Sequence, residues 1–493
     1  MKQRRPILFL VLILLVGAAL RIHALGQDRR FHPDEALYGT FARNAALNGD
    51  WLLHGSLDKT PLSIYASALS ITLFAAHVDD RGLLNFDIRQ GEFAARLPTT
   101  FAGILLVAVV YALAKILYRD ERVALWSSLF VALSPFAIAF SATAFTDGLM
   151  LLFMTLALGM AATGRLAWSG VWVTLAFLSK PQGLFYLPLA FVTGWVLNGL
   201  TVVAALRFIF PLLLGAGGLF LWDSAREQTT SIWMLGYVNS NPERFIRADE
   251  VMPRLVRWLS YARTLLGAPT PIFIFAIPLS IVARIVRAPR QRSTMIDVLL
   301  LTFVLAYWLL HWLVAFNTYD RYLLPLLPPI TLLAARGSMW LWKRLTRYIM
   351  SAELALAAGA ILLTLAASAF EATQQRLPFS DRNGSFPHYE GIDELSDFLN
   401  QQSLGAIIYD HWLNWELGFY MGQWSDKRRV YYPTPASLVD DALLQPDPAP
   451  RYFPAPAQQP IVPWLDALHE AGFSTTLVYQ TPSWVVYELI RNS

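Results

Sequence analysis

Long apolar runs are the feature of this sequence that most constrains its fold. A helix that crosses about 30 Å of hydrocarbon needs roughly 20 mainly apolar residues. Since 55% of the 493 residues are hydrophobic and only 15% are charged, the sequence predicts an α-helical polytopic membrane protein. Nine runs have the required length and character: 7–25, 98–118, 123–141, 147–164, 207–222, 269–286, 296–316, 322–336 and 349–370.

A charged turn, Ser179-Lys180-Pro181-Gln182-Gly183, interrupts a further apolar stretch between 166 and 200 and predicts two shorter helices. The predicted total becomes eleven spans, and the shorter run 61–76 is interpreted as an interfacial helix. With the N-terminus in the cytoplasm, the basic clusters fall on one side, as the positive-inside rule requires. We therefore expect a multi-pass protein of the cell (plasma or inner) membrane.

In this topology a large first loop, 26–97, and everything after residue 370 lie outside the cytoplasm. Residues 371–493 have the composition of a small soluble α/β domain, with a polar helix near 392–401 and a strand at 406–409. Strand-like segments at 475–478 and 484–487 end the chain. The predicted organisation is a transmembrane domain, 1–370, followed by an extracytoplasmic domain, 371–493.

Two function classes are disfavoured by composition. The net charge of +4 does not indicate a nucleic-acid partner, because Lys and Arg fall in short clusters between apolar runs, where lipid topology explains them. Cysteine is absent, which removes a disulfide framework, a thiolate nucleophile and a Cys-based zinc site.

The first loop collects polar residues with catalytic potential. Phe31-His32-Pro33-Asp34-Glu35-Ala36-Leu37-Tyr38 follows the first span and sets two adjacent carboxylates beside a proline that favours a helix start. Asp34 could be a helix cap, or it could act on a substrate. Asp58-Lys59-Thr60-Pro61 and Glu92-Phe93-Ala94-Ala95-Arg96-Leu97-Pro98 add further charges to the same loop.

These segments, with Asn48-Gly49-Asp50-Trp51, resemble the first loop of glycosyltransferase family 39 relatives in the GT-C superfamily. The relatives include the protein O-mannosyltransferases and the lipid A aminoarabinose transferases. The resemblance continues through Asp147, Ser179-Lys180-Pro181 and Arg321-Tyr322-Leu323-Leu324-Pro325. It covers the membrane part in register, whereas the segment after 370 matches only loosely.

The resemblance implies that Asp34 is the general base and that Glu35 supports it. Inverting transfer to a hydroxyl requires the acceptor to lose a proton while it attacks the anomeric carbon, and a positioned carboxylate accepts that proton. The matched positions of Asp147, Glu92 and Tyr38 imply walls of the site, although Asp147 could also be a helix cap.

The anionic phosphate of a lipid-linked donor must be held by cations, and Lys59, Lys180 and Arg321 are the candidates. Snorkelling would also explain Lys180, and an ion pair with Asp320 would explain Arg321. By resemblance Asp58 is a tentative metal ligand; its alternative is an exposed carboxylate paired with Lys59. No HxxxH pair is present, so a divalent metal ion stays optional.

The sequence therefore predicts a glycosyltransferase that moves a monosaccharide from a polyprenyl-phosphate carrier to a lipid, glycan or protein hydroxyl. No Gly-rich nucleotide-sugar cradle occurs in the short cytoplasmic loops, which favours a lipid-linked donor. A flippase of lipid-linked sugars, a polysaccharide polymerase or ligase, and a non-catalytic scaffold are the alternatives. Membrane lipids are expected partners, while the sugar, the acceptor and the oligomeric state are left open.

Overall fold

The computed structural model describes residues 4–80, 82–374, 389–422, 427–445 and 449–492 of the chain. The helices of these residues are α1 Arg4–Leu25, α2 Pro33–Asn48, α3 Leu62–Phe74, α4 Ile88–Tyr118, α5 Glu121–Ala132, α6 Pro135–Ser141, α7 Asp147–Ala162, α8 Leu166–Ser179, α9 Tyr186–Asn198, α10 Val202–Ala225, α11 Ile232–Ser240, α12 Val251–Leu265, α13 Thr270–Arg287, α14 Arg292–Leu313, α15 Leu327–Leu345, α16 Ser351–Ala372, α17 Ile392–Asn400, α18 Asn414–Tyr420, α19 Pro435–Leu444 and α20 Val462–Glu470. The strands are β1 His77–Val78, β2 Leu84–Asn85, β3 Ile407–Asp410, β4 Arg428–Tyr431, β5 Arg451–Pro456, β6 Phe473–Gln480 and β7 Trp484–Arg491.

The chain divides into two compact units. The membrane unit consists of Met1–Gln27, Leu52–Ser67 and Arg96–Asn383, and the sheet unit consists of Asp28–Trp51, Ala68–Ala95 and Gly384–Ser493. The sheet unit thus combines the C-terminal region with two stretches of the first loop. The domain boundary predicted at residue 370 stays a prediction, and residues 375–388 next to it lie outside the described residues.

Each apolar run predicted to span the membrane forms helix in the structure. Among the described residues, six helices are long and apolar enough to cross a bilayer, and a bent pair raises the number to seven. The predicted eleven spans exceed this number by four. Helices α7, α8 and α9 have only 16, 14 and 13 residues, and α15, with 19 residues, is not among the helices that are both long and apolar enough. With 13 residues, α3 is about 20 Å long, too short to cross about 30 Å of hydrocarbon.

The run 123–141, predicted as one span, is divided into two helices in the structure. It forms α5 and α6, which meet at an angle of 55°. Pro135 has no N–H to continue the helix, and the Ser134 hydroxyl accepts a hydrogen bond from the amide of Ala137 at 3.1 Å, which caps α6 as a new helix.

A buried charge cluster joins four helices of the membrane unit. Asp297 on α14 is fully buried and lies 2.9 Å from Arg284 on α13 and 2.9 Å from Arg336 on α15. Its other oxygen accepts a hydrogen bond from the hydroxyl of Tyr118 at 2.9 Å, at the end of α4. A buried carboxylate needs such partners, so this cluster fixes the relative positions of these helix ends.

The sheet unit contains a mixed five-stranded sheet in the order β4-β3-β5-β7-β6. β3 is parallel to β4 and β5, whereas β7 is antiparallel to β5 and β6. Apolar side chains such as Tyr409, Phe453 and Trp464 form a buried core with α19 and α20. The helix and the three strands predicted after residue 390 are all confirmed as α17, β3, β6 and β7, and β4 and β5 complete the sheet.

Candidate active site

The predicted phosphate-binding lysine of the membrane unit forms a buried ion pair. Lys180 lies in the connection that follows α8, and its Nζ is 2.7 Å from Oδ1 of Asp147, the first residue of α7. Both residues are at least 95% buried. The pair explains how a lysine is tolerated between two apolar helices, and it gives Asp147 an ion-pair partner rather than the role of a helix cap.

The three predicted cations lie near one another in the membrane unit. Burial lowers the pKa of Lys180 to about 8; Asp147 opposes this shift, while the positive charges of Arg321 and Lys59 add to it. Like charges raise each other's energy unless an anion lies between them. Carboxylates accompany these cations, since Asp147 pairs with Lys180 and Asp58 contacts Lys59.

Aromatic rings hold the other side of this cation cluster. The guanidinium of Arg321 lies 4.6 Å from the ring centre of Tyr319 and 4.9 Å from that of Phe145. The ammonium of Lys180 lies 5.5 Å from the ring of Tyr322. These cation–π contacts orient the charged groups.

A cavity of about 420 Å³ opens beside the cluster. Asp58, Lys59 and Lys180 line it together with aromatic and apolar side chains. The amide of Gln182 also lines it, and its Oε1 has no hydrogen-bond partner within the described part of the chain. A charged rim on an apolar cavity suits a ligand with a polar head and an apolar body.

Several cavity residues were missed by the sequence analysis. Trp233 and Tyr237 come from α11, and Phe316 comes from the segment after α14. His311 also lines the cavity, and its Nδ1 lies 2.9 Å from the carbonyl oxygen of Tyr307, the single partner expected for a structural histidine. No local sequence pattern distinguishes an aromatic side chain in a cavity wall from one that faces lipid.

Asp58 was the tentative metal ligand. One of its oxygens contacts Lys59 and accepts a hydrogen bond from Asn239 at 3.1 Å, while the other has no hydrogen-bond partner among the described residues. No group of three or more His, Asp or Glu side chains in the described chain is arranged to hold a metal ion. The site residues therefore do not supply a complete ligand set, and the metal role of Asp58 stays a prediction.

In the sheet unit, α2 carries the predicted general base. His32 is the N-cap of this helix, because its side chain accepts a hydrogen bond from the amide of Asp34 at 3.0 Å. Glu35 completes a capping box by accepting from the amide of His32 at 3.1 Å. His32 and Glu35 therefore cap α2, and Asp34 is not its capping residue. The Asp34 side chain is half-buried.

The C-terminal helix α18 packs closely on α2 within the sheet unit. A Cβ atom on Gly39 would lie 2.6 Å from the Phe31 ring and 3.0 Å from that of Phe419. The Thr40 hydroxyl donates to the carbonyl of Trp415 at 3.0 Å. These contacts explain how residues distant in sequence fix the orientation of the helix that carries Asp34.

The remaining predicted wall residues are buried in this unit. Glu92 accepts a hydrogen bond from the hydroxyl of Tyr420 at 2.5 Å and lies 2.7 Å from Arg30. Tyr38 is also buried, on α2. The contacts of Glu92 give it a structural position, and the wall roles of Glu92 and Tyr38 stay predictions.

The structure adds two carboxyl groups that sequence analysis did not single out. Burial, together with the charges of Asp410 and Asp34, raises the pKa of Glu416 on α18 to about 8, against a lowering by Arg429. Burial likewise raises the pKa of Asp410 to about 6. Glu416 is thus an uncharged acid at neutral pH in the electrostatic surroundings of Asp34, although 382 positions separate them (416 − 34).

Comparison with known proteins gives one matching family model and several solved structures of similar fold. Residues 84–223 match the family model described as dolichyl-phosphate-mannose-protein mannosyltransferase, and no curated protein matches the sequence. The structure is similar to that of ArnT from Cupriavidus metallidurans bound to undecaprenyl phosphate, with a TM-score of 0.60, 15% identity, and coverage of 98% of this chain and 97% of that one. It is also similar to the oligosaccharyltransferase of Archaeoglobus fulgidus in the apo form, with a TM-score of 0.57, 14% identity, and coverage of 92% and 70%.

A further match is the archaeal oligosaccharyltransferase AglB from Archaeoglobus fulgidus in complex with an inhibitory peptide and a dolichol-phosphate, with a TM-score of 0.51, 12% identity, and coverage of 88% of this chain and 65% of that one. The chain therefore shares the fold of these ArnT and oligosaccharyltransferase structures, a helical multi-pass membrane protein with a small C-terminal sheet. The fold class predicted from the sequence is confirmed. The matched family segment contains Glu92, Asp147 and Lys180, and it does not include Asp34, Asp58, Lys59 or Arg321.

Proposed function

We propose that this protein transfers a monosaccharide from a polyprenyl-phosphate carrier to a hydroxyl group of a lipid, glycan or protein acceptor. The observation that carries the proposal is the cavity of the membrane unit, where Asp58, Lys59 and Lys180 line an otherwise largely apolar wall. The similarity of the fold to ArnT bound to undecaprenyl phosphate supports a lipid phosphate as its ligand.

The cations have a defined task in this reaction. When the bond between the anomeric carbon and the phosphate oxygen breaks, the carrier leaves as a phosphate with an additional negative charge. Lys59, Lys180 and Arg321 stabilise that charge, and their low-polarity surroundings strengthen the interaction. Asp147 keeps Lys180 protonated and positioned through the 2.7 Å ion pair.

Asp34 acts as the general base in the proposal. The acceptor oxygen attacks the anomeric carbon from the face opposite the phosphate, a new glycosidic bond forms, and the hydroxyl proton passes to the Asp34 carboxylate. The configuration at the anomeric carbon is inverted, and no covalent enzyme intermediate is formed. His32 and Glu35 form the capping box of α2, so Asp34 is not needed as the cap of this helix.

No step of this reaction is assigned to a metal ion. If a divalent ion binds, Asp58 would hold it, because one Asp58 oxygen has no hydrogen-bond partner among the described residues, and the ion would supply positive charge for the donor phosphate. The sugar and the acceptor are open, and a hexose and a pentose fit the proposal equally. We place the reaction on the extracytoplasmic side of the cell membrane, as the distribution of basic loops predicts.

The deciding experiment compares Asp34→Asn with the wild-type protein. Glycans and glycolipids from cells that express each form are compared by mass spectrometry, and transfer from the identified polyprenyl-phosphate sugar is then timed with purified protein. Loss of a general base is expected to slow transfer about 100- to 10,000-fold. Asp80→Asn is the matched control, since Asp80 is an exposed carboxylate of the same loop. Wild-type turnover by Asp34→Asn would remove this residue from the mechanism.

A further inference from the structure

A second elongated crevice lies in the membrane unit between α5, α13, α15 and α16. Its volume is about 560 Å³, and its walls are mainly apolar. It shares no lining residue with the cavity beside Lys180. The proposed sugar transfer assigns no role to this crevice.

The crevice has one charged end. Arg122 lies in the first turn of α5 and Lys343 in the last turn of α15, and both line the crevice with exposed side chains. Phe130, eight residues further along α5, lines it about 12 Å away at 1.5 Å per residue. Phe273, in the first turn of α13, contacts the Phe130 ring there, with ring centres 5.1 Å apart.

This length and polarity match one chain of a membrane phospholipid. About 12 Å of apolar wall is close to the depth of one leaflet, which is about half of the 30 Å hydrocarbon core. Two cations at the polar end complement a phosphate headgroup, and no carboxylate lines the described crevice to oppose it. Trp342 beside Lys343 is 42% exposed, the position that an interfacial tryptophan occupies.

The charged end is remote from the proposed donor site. Arg321 precedes the start of α15, and Lys343 lies near its end, so the two cations are separated by most of a helix that is about 28 Å long. A carrier whose phosphate is bound near Arg321 does not also reach Lys343 with that phosphate. The occupant is therefore a separate lipid, in the leaflet that the basic-loop pattern predicts to be cytoplasmic.

We propose that the crevice is a binding site for an anionic phospholipid, with its phosphate at Arg122 and Lys343 and one acyl chain along Phe130 and Phe273. The bound lipid fills the space between α16 and the rest of the bundle. The crevice is expected to bind phosphatidylglycerol about 30-fold more tightly than phosphatidylcholine with the same chains. This factor corresponds to about 1 kcal/mol for each of two cations near a membrane surface.

Native mass spectrometry of the full-length protein in detergent tests this proposal. Each lipid is titrated separately, and the apparent affinity of the first bound lipid is compared. The variant Arg122→Gln/Lys343→Gln is expected to lose the preference for phosphatidylglycerol. Arg287→Gln/Arg290→Gln, which removes two exposed cations that do not line the crevice, is expected to keep it. Equal binding of both lipids by the wild-type protein would overturn the proposal.

A steric variant tests the acyl-chain part independently. Ala358 lines the crevice and is half-buried, so Ala358→Phe is expected to block the chain while leaving both cations in place. Gel filtration establishes that each variant is folded before titration. Retention of the phosphatidylglycerol preference by Ala358→Phe would refute the assignment. Displacement of bound phosphatidylglycerol from the wild-type protein by added polyprenyl phosphate would also refute it.

Discussion

We expect the free energy of unfolding of the wild-type protein to fall as pH rises from about 5 to about 8. Replacing Glu416 with glutamine is expected to remove a large part of this fall. Glu416 is 95% buried on α18, which packs on α2. Burial raises its pKa from 4.5 to about 8, with Asp410 and Asp34 adding to the shift. In the unfolded chain the same carboxyl ionises at its ordinary pKa.

The sign and size follow from proton linkage. Between pH 4.5 and about 8 the native Glu416 keeps its proton while the unfolded chain releases it, so stability falls as pH rises. The contribution is fully present below pH 4.5 and is lost through the folded pKa. At about 1.4 kcal/mol per pH unit, the change from pH 5 to pH 8 is about 4 kcal/mol, taken as an upper bound.

The assay is thermal unfolding of purified protein at several pH values and constant ionic strength. Because the Glu416→Gln amide does not ionise, the melting temperature of the variant is expected to rise relative to that of the wild type as pH increases. The expected gain is about 1 °C for each kcal/mol, since a chain of 493 residues has an unfolding entropy of about 1 kcal/mol/K. Glu470→Gln, at an exposed position on α20, is the control and should follow the wild-type profile. Asp34→Asn should make the wild-type slope shallower by removing a like charge. Parallel pH profiles for the wild type and Glu416→Gln would refute the reasoning.

Two further predictions concern buried ion pairs. Lys180→Ala leaves the Asp147 carboxylate buried without its partner, so we expect a loss of about 3–5 kcal/mol and a weaker apparent affinity for the polyprenyl-phosphate sugar. Adding Asp147→Asn should restore much of the stability, and unchanged donor affinity in that folded double variant would exclude a phosphate role for Lys180. Asp297→Asn should also lower stability by about 3–5 kcal/mol in thermal unfolding, since Arg284 and Arg336 lose their shared carboxylate. Donor affinity should stay unchanged, and a further Arg336→Gln substitution should recover part of the loss.

The apolar runs predicted the helices of the membrane unit because hydropathy is a property of consecutive residues. The break at Ser134 and Pro135 was missed, although Ser-Pro before a helix is a local capping signal. The surrounding run is apolar enough for one span, so its hydropathy concealed the 55° bend. In the sheet unit, strand patterns predicted β3, β6 and β7, whereas the mixed order of the sheet depends on pairings that no single segment specifies.

The sequence predicted which residues belong to the candidate site, but it did not predict which of them form ion pairs. The sequence and its family resemblance singled out Asp34, Lys59, Lys180 and Arg321, and the structure brings the three cations close together in the membrane unit. Asp147 was expected as a wall or a cap and is the partner of Lys180. Neither partner is marked as such in the chain, because 33 positions separate them and the contact depends on how α7 and α8 pack.

The amino-acid sequence by itself determined that this chain is a bundle of apolar helices with a polar first loop and a small C-terminal α/β region. Only the tertiary structure decided that α18 supports the helix of Asp34, and that burial raises the pKa of Glu416 in the electrostatic surroundings of Asp34. The physical reason is the separation along the chain over which each interaction acts. Hydropathy and capping depend on neighbours within a few residues, whereas desolvation and ion pairing depend on side chains that only the folded chain brings together.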